Sequence, residues 1–331
     1  MTPTTRFVST GTLPDVVRVG NLVEDAHRRF CENVEGSLST VYPALQRADP
    51  AHFGLCVASA RGDMVEAGDV DVPFSIMSVA KPFVLALVCE ALGDETVRRR
   101  IGVNATGLPF NSLIAIERSP DGRTNPMVNP GAIATAGMVP GDSLEERWQF
   151  VLDGMSRFAG RPLALADEVY ASAIESNHRN RAIAELLHSL GALDADPLET
   201  VELYTRQSSL ETTARDLAVL GATLANGGTN PLTGERVVSS SVCHDVMVVM
   251  TTAGLYDTSG DWLWDVGLPG KSGIGGGIVT VSPGKGGLGV FSPLLDAAGN
   301  SVRGQLASAF LSTELGLDLF ATTPAAPTGG T

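Results

Sequence analysis

Ser78 and Lys81 stand three residues apart at the head of an apolar run, Phe74-Ser-Ile-Met-Ser78-Val-Ala-Lys81-Pro82. Positions i and i+3 share a helix face, so a serine hydroxyl and a lysine ammonium at this spacing can meet. A serine hydroxyl is a weak nucleophile at neutral pH and needs a base. A lysine stripped of water can act as one. The start of a helix also directs the positive end of the macrodipole toward an anion forming there. Pro82 suits a first turn, where a missing N–H costs no hydrogen bond. Alone, S-x-x-K is a common tetrapeptide and could equally be incidental.

Composition adds weight to the pair. Of 23 basic residues only three are lysine, Lys81, Lys271 and Lys285, in a chain that otherwise draws its positive charge from arginine. Lysine differs from arginine in having a compact ammonium whose pKa burial can bring toward neutrality. Lys271 opens Lys271-Ser272-Gly273-Ile274-Gly-Gly-Gly277 at the head of an expected strand. Its glycines allow a strand edge to lie against a substrate, and a backbone N–H there can help to form an oxyanion hole. A second buried cation near Lys81 would lower that lysine's pKa. The bland alternative is a glycine-rich strand with a solvated lysine. Lys285, in Pro283-Gly-Lys-Gly-Gly287, reads as the solvated tip of a hairpin turn.

The elements that must position these groups follow from pattern. Residues 53–69 read as two short strands joined at Arg61-Gly62. Residues 80–265 read as mainly helical, for example Leu210 to Ala225, where apolar residues recur at three- and four-residue steps until Gly227-Gly228. Strands return from Gly273, and a closing helix is expected from Ser301 to Leu315. A sheet drawn from both chain ends, with helices inserted between, makes an α/β scaffold with an all-helical subdomain and a cleft between them. Residues 1–320 are expected to form one domain and 321–331 a disordered tail, Pro/Gly/Thr-rich and without core residues.

The chain has 331 residues and a net charge of −14. Its acidity (pI near 4.7) argues against nucleic acid as a partner, which calls for a basic face. Cys31, Cys56, Cys89 and Cys243 are too scattered for a disulfide frame or zinc site and read as reduced thiols. No basic n-region precedes an apolar stretch, and the longest apolar run, Phe83 to Cys89, is too short to span a bilayer. The expectation is a soluble, cytoplasmic protein without a membrane partner. His27, His52, His178, His188 and His244 show no ligand spacing, and His178 and His188 read as surface residues.

With these residues in place, the sequence resembles the serine-dependent glutaminases, which share the β-lactamase-like fold. The resemblance covers about residues 15–318. It rests on VPFSIMSVAKP (72–82), FNS (110–112), NPMVNPGAI (125–133), RNRAIA (179–184), LYTRQ (203–207), LANGG (224–228), GLYDTSG (254–260) and VGLPGKSG (266–273). Lys271-Ser-Gly is then a variant of the K-T-G element that accompanies S-x-x-K in penicillin-recognising enzymes; no S-D-N element is found. The resemblance implies that L-glutamine is hydrolysed to L-glutamate and ammonia through a γ-glutamyl ester on Ser78, with Lys81 as general base. Asn129, Asn180, Tyr204 and Tyr256 match substrate-contacting positions, and Tyr256 assists proton transfer to the leaving ammonia. Ile274, where the family usually has Val, contributes its backbone N–H together with that of Ser78. Lys271 supports the site. No metal or organic cofactor is implied, and the family's habit suggests a homodimer or homotetramer. Two Asn and two Tyr also suit an amide substrate on chemical grounds. Singly, Asn129 could cap a turn before Pro130, Asn180 could lie on a helix surface, and Tyr204 could be core.

The sequence departs from the family where members carry a Glu seven residues before the Asn of R-N-R, a carboxylate that binds the substrate ammonium. Here the Ser-Glu pair is Ser172-Ala173. Two helical turns would bring Ala173 and Asn180 to one face if the segment is helical, with Glu175 pointing elsewhere. Losing such a carboxylate costs binding, because a buried ammonium is left uncompensated. The expectation is an impaired glutaminase; the alternatives are a glutaminase-like binding protein or a serine hydrolase of another small amide or ester. Ser208 replaces a usual Cys. Aligned on Pro43, the family's site tyrosine falls on Val41, leaving Tyr42 one place off as a candidate.

Overall fold

A computed structural model describes residues 11–119 and 121–322. Most of the tail expected to be disordered lies outside the described residues. The strands are β1 (Gly54–Ser59), β2 (Met64–Gly68), β3 (Phe74–Ser75), β4 (Ala164–Leu165), β5 (Leu210–Thr212), β6 (Gly270–Ser272), β7 (Gly277–Ser282) and β8 (Gly286–Phe291). A five-stranded sheet runs β2-β1-β8-β7-β6, every pairing antiparallel. β1 meets β8 in the middle, with Val57 opposite Leu288, so the sheet is built from both ends of the chain. A second, three-stranded sheet runs β3-β5-β4.

One face of the large sheet is covered by the helices Val16–Phe30 and Val302–Leu315. Val19, Val23, Leu311 and Leu315 pack there against Leu55, Val57, Ile278 and Val290. Asp15 and Ser301 cap these helices through their side chains, satisfying N–H groups the first turn leaves open. On the other face lies the Ala214–Ala225 helix, which Gly289 admits at close range. A Cβ at Gly289 would stand 2.1 Å from Ala214 O and 2.4 Å from Ala218 N.

Beyond that helix, most of the intervening chain is helical and encloses a separate apolar core that includes Phe83, Ile133, Val151, Phe158, Ile183 and Leu203. The helix expected from Leu210 starts only at Ala214. Leu210–Thr212 is β5, paired with β3 and β4, and Thr213 with Asp216 forms a capping box that sets the boundary. Likewise Gly273 does not open a strand. Residues 273–276 form a turn closed by Gly276 N–H to Gly273 O, with Gly276 at φ +98°, and β7 begins one residue later. Lys285 sits in the β7–β8 turn but is partly buried, so it is not a fully solvated tip.

All four cysteines are free thiols, three of them buried. His178 and His188 are exposed. Among the described residues no helix is long and apolar enough to cross a membrane.

Candidate active site

Ser78 lies in a short 3-10 turn, Met77–Val79, that runs directly into the buried helix Ala80–Leu92. Met77 adopts φ +48°, left-handed backbone that a non-glycine residue occupies only when its surroundings hold it there. The strain turns Ser78 toward a cavity of about 120 Å³ while its neighbours are buried. Pro82 falls in the first turn of the helix, as expected.

The glycine turn after Lys271 lies against this serine. A Cβ at Gly273 would stand 2.9 Å from Ile76 O and 3.2 Å from Ser78 N, and one at Gly275 would stand 2.3 Å from Ser75 O. Only glycines let the two backbones approach so closely. Ile274 and Ser78 consequently line the same cavity.

Lys81 is 2% exposed and donates to Asn129 Oδ1 at 2.7 Å and to Met127 O at 3.4 Å. Burial lowers its pKa to about 7. The sequence led us to expect a second cation to do this; the cause is burial. The effect of one lysine on the other is felt at Lys271, which is held well below the usual lysine range by burial and then by the charge of Lys81. Lys271 is completely buried, donates to Gly254 O at 2.8 Å and Ser272 O at 2.6 Å, and sits 4.2 Å from the Tyr256 ring centroid. It stands behind the site and does not line the cavity.

Tyr256 also has positive φ, +54°, and packs against Phe110. Its hydroxyl donates to Ser272 O at 3.3 Å and lies near the Ser78 side chain. Burial moves its pKa up to about 12, and the contacts to Ser78 and Ser272 work against the rise.

The remaining wall is a ladder of amides. Tyr204 OH donates to Asn129 Oδ1 at 3.1 Å, Asn129 Nδ2 to Asn180 Oδ1 at 3.0 Å, and Asn180 Nδ2 to Asn177 Oδ1 at 2.5 Å. Asn177 Nδ2 then donates to Thr205 Oγ1 at 2.6 Å, and that hydroxyl to Val201 O. Lys81, as an ammonium, can only donate, so it orients every amide in the row. Asn125 anchors the loop beneath. It is wholly buried, accepts from Met127 N and donates to Asn104 O, and so holds Met127 O toward Lys81.

Ser78, Asn129, Asn180, Tyr204, Ile274 and Tyr42 all line the cavity, and Val41 lies beside Tyr42. Ala173, 2% exposed, lines it too. Ala173 and Asn180 line the same cavity from either side of a break, one in the helix Asp167–Ser176 and the other in His178–Ser189, with Asn177 turning its side chain into the ladder at the junction. Glu175 is exposed, as its position on the helix predicted. Sequence reasoning missed Asn177 and Thr205, and it assigned no role to Arg179, which lines the cavity and donates to Asn111 O. A polar pair buried on facing helices was the available signal. Among the described residues no cluster of His, Cys, Asp or Glu could hold a metal ion.

The family model described as Glutaminase matches residues 36–320. Glutaminase 2 of Yersinia pestis is 61% identical over 318 residues, which cover 96% of this chain and 94% of that protein. A glutaminase of Colwellia psychrerythraea is 45% identical, covering 91% of this chain and 97% of its own. The solved structure of probable glutaminase YbaS superposes with a TM-score of 0.92 at 42% identity, covering 93% of this chain and all of that one. The glutamate form of Mglu superposes with a TM-score of 0.87 at 38% identity, covering 92% of this chain and 70% of that one. The α/β arrangement is the β-lactamase-like fold that the motifs implied. A serine set beside the strained Met77 and ahead of a buried lysine, a glycine turn laid across it and an amide-lined cavity beside it thus occur in a chain that belongs to the glutaminase family.

Proposed function

We propose that the protein is an amidohydrolase that converts L-glutamine to L-glutamate and ammonia through a γ-glutamyl ester on Ser78. The observation that carries this reading is a buried lysine three residues after Ser78, Lys81, whose burial lowers its pKa to about 7, so that a large fraction is uncharged and able to accept a proton. Asn129 Oδ1 and Met127 O take two N–H groups of Lys81, which leaves the lone pair of the neutral amine for the serine hydroxyl.

Ser78 Oγ attacks the side-chain carbonyl carbon as its proton passes to Lys81. The backbone N–H groups of Ser78 and Ile274 receive the developing oxyanion, an arrangement supported by the close approach of the 273–276 turn. Tyr256, whose hydroxyl lies near Ser78, helps to deliver the proton to the leaving nitrogen, and ammonia departs. Water then cleaves the ester by the same steps in reverse. Asn129, Asn180 and Tyr204 fix the substrate, Lys271 holds the strand edge and Tyr256 in place, and Tyr42 closes the rim.

Ala173 leaves the substrate ammonium without a carboxylate partner, so weak glutamine binding belongs to the proposal. The same reading takes residues 1–320 as one domain, the protein as cytoplasmic, and its assembly as a homodimer or homotetramer. The test is ammonia release from L-glutamine with Ser78→Ala as the blank, alongside mass spectrometry of quenched enzyme for the Ser78 ester. Release undiminished in Ser78→Ala would overturn the mechanism.

A further inference from the structure

The cavity is polar but holds no carboxylate. Among its lining residues Arg179 is the only basic one, and none is Asp or Glu. Nearby carboxylates are committed elsewhere. Glu202 takes Tyr170 and Arg206, Asp296 accepts from Ala298 N, Asn300 N and Gln305, Glu168 pairs with Arg47, and Glu175 faces solvent.

The amide ladder sharpens this bias. Asn129 Oδ1 already accepts from both Lys81 and Tyr204, and the oxygens of Asn180 and Asn177 each accept from the next amide along. Each NH2 of the ladder uses one hydrogen in the row and keeps a second. Arg179 uses its Nε on Asn111 O, leaving the guanidinium ends for an anion at the mouth. Spare donors suit a carboxylate. A desolvated ammonium would find no charge partner among the lining residues.

We propose that this pocket selects short ω-amides that carry a carboxylate but no free ammonium, represented by 4-carbamoylbutanoate, in preference to L-glutamine. The inference rests on Ser78-dependent amide hydrolysis and names the substrate class of that site. Ser78 Oγ bonds to the amide carbon, the C–N bond breaks and ammonia leaves with the serine proton. One water then cleaves the ester, returning Ser78 and releasing glutarate. Ala173 is buried and lines the cavity, where its methyl offers a polar substituent no partner.

The deciding measurement is kcat/KM for ammonia release from both amides by the protein and by Ala173→Glu, with equilibrium binding of both to Ser78→Ala by calorimetry. The expected result is at least a ~tenfold preference for 4-carbamoylbutanoate in kcat/KM and in affinity, reversed by Ala173→Glu. Equal or tighter binding of L-glutamine to Ser78→Ala overturns the inference even if Ala173→Glu fails to fold. Ammonia release from neither amide, with the affinity preference retained, would overturn the hydrolase reading and leave the selectivity standing.

Discussion

Lys81 Nζ lies 2.7 Å from Oδ1 of Asn129, a contact between two buried side chains 48 residues apart. It joins the S-x-x-K helix to the Asn-rich motif and sets the direction of every amide beyond it. It also pins Lys81 where burial alone brings its pKa to about 7. An arginine here could not give up its proton.

The pH dependence follows from that lysine. Neutral Lys81 is the base, so kcat/KM should climb as pH rises and level off above an apparent pKa of about 7. Buffers spanning pH 5.5–9 in roughly half-unit steps resolve the limb. A rate independent of pH across this range would exclude Lys81 as the group that titrates.

Keeping an amine buried costs stability. Lys81 is protonated in the unfolded chain up to its ordinary pKa of 10.5 but only below about 7 when folded. The unfolded state therefore binds more protons between these values, and this contribution makes stability rise with pH there. Lys81→Met should abolish turnover and raise Tm by about 3 °C at pH 7, because the apolar stem fits and the desolvated nitrogen is gone. Thermal unfolding by circular dichroism checks it.

Asn177 touches no reacting atom by this reading; it positions Asn180. Asn177→Ala removes both its hydrogen bonds and strands the Asn180 amide, at a cost of about 1–3 kcal/mol in stability. KM should rise several-fold while kcat holds within about twofold. A matched fall in kcat with unchanged KM would instead place Asn177 in transition-state stabilisation.

Tyr256→Phe should keep the fold, since the ring still packs on Phe110 and beneath Lys271, and reduce kcat by about 10²-fold by removing the hydroxyl beside Ser78. Gly275→Ala forces a Cβ to within 2.3 Å of Ser75 O and so pushes the glycine turn off the serine backbone. Its kcat should fall at least about tenfold, with a smaller change in KM. Steady-state ammonia release separates the two parameters.

Much of this was legible along the chain. The scarcity of lysine, the S-x-x-K spacing and the glycines after Lys271 carry their chemistry in local sequence, and the hairpin of β1 and β2 follows from two short strand-like runs joined at Arg61-Gly62. Boundaries set by long-range pairing were not legible. Leu210–Thr212 reads as helix by periodicity, yet β3 and β4 claim its backbone hydrogen bonds. Asn177 reads as one residue of a continuous helix, yet its amide turns inward to Thr205.

By itself the sequence determined which groups are available: a serine with a lysine one turn on, amides and phenols for an amide substrate, and Ala173 where a carboxylate is expected. Tertiary structure alone decided their states. Lys81 has its pKa lowered because helices from distant segments exclude water around it, and the Asn ladder runs in one direction because its members meet across separate elements. Desolvation and hydrogen-bond direction depend on neighbours in space, and spacing along the chain does not encode them.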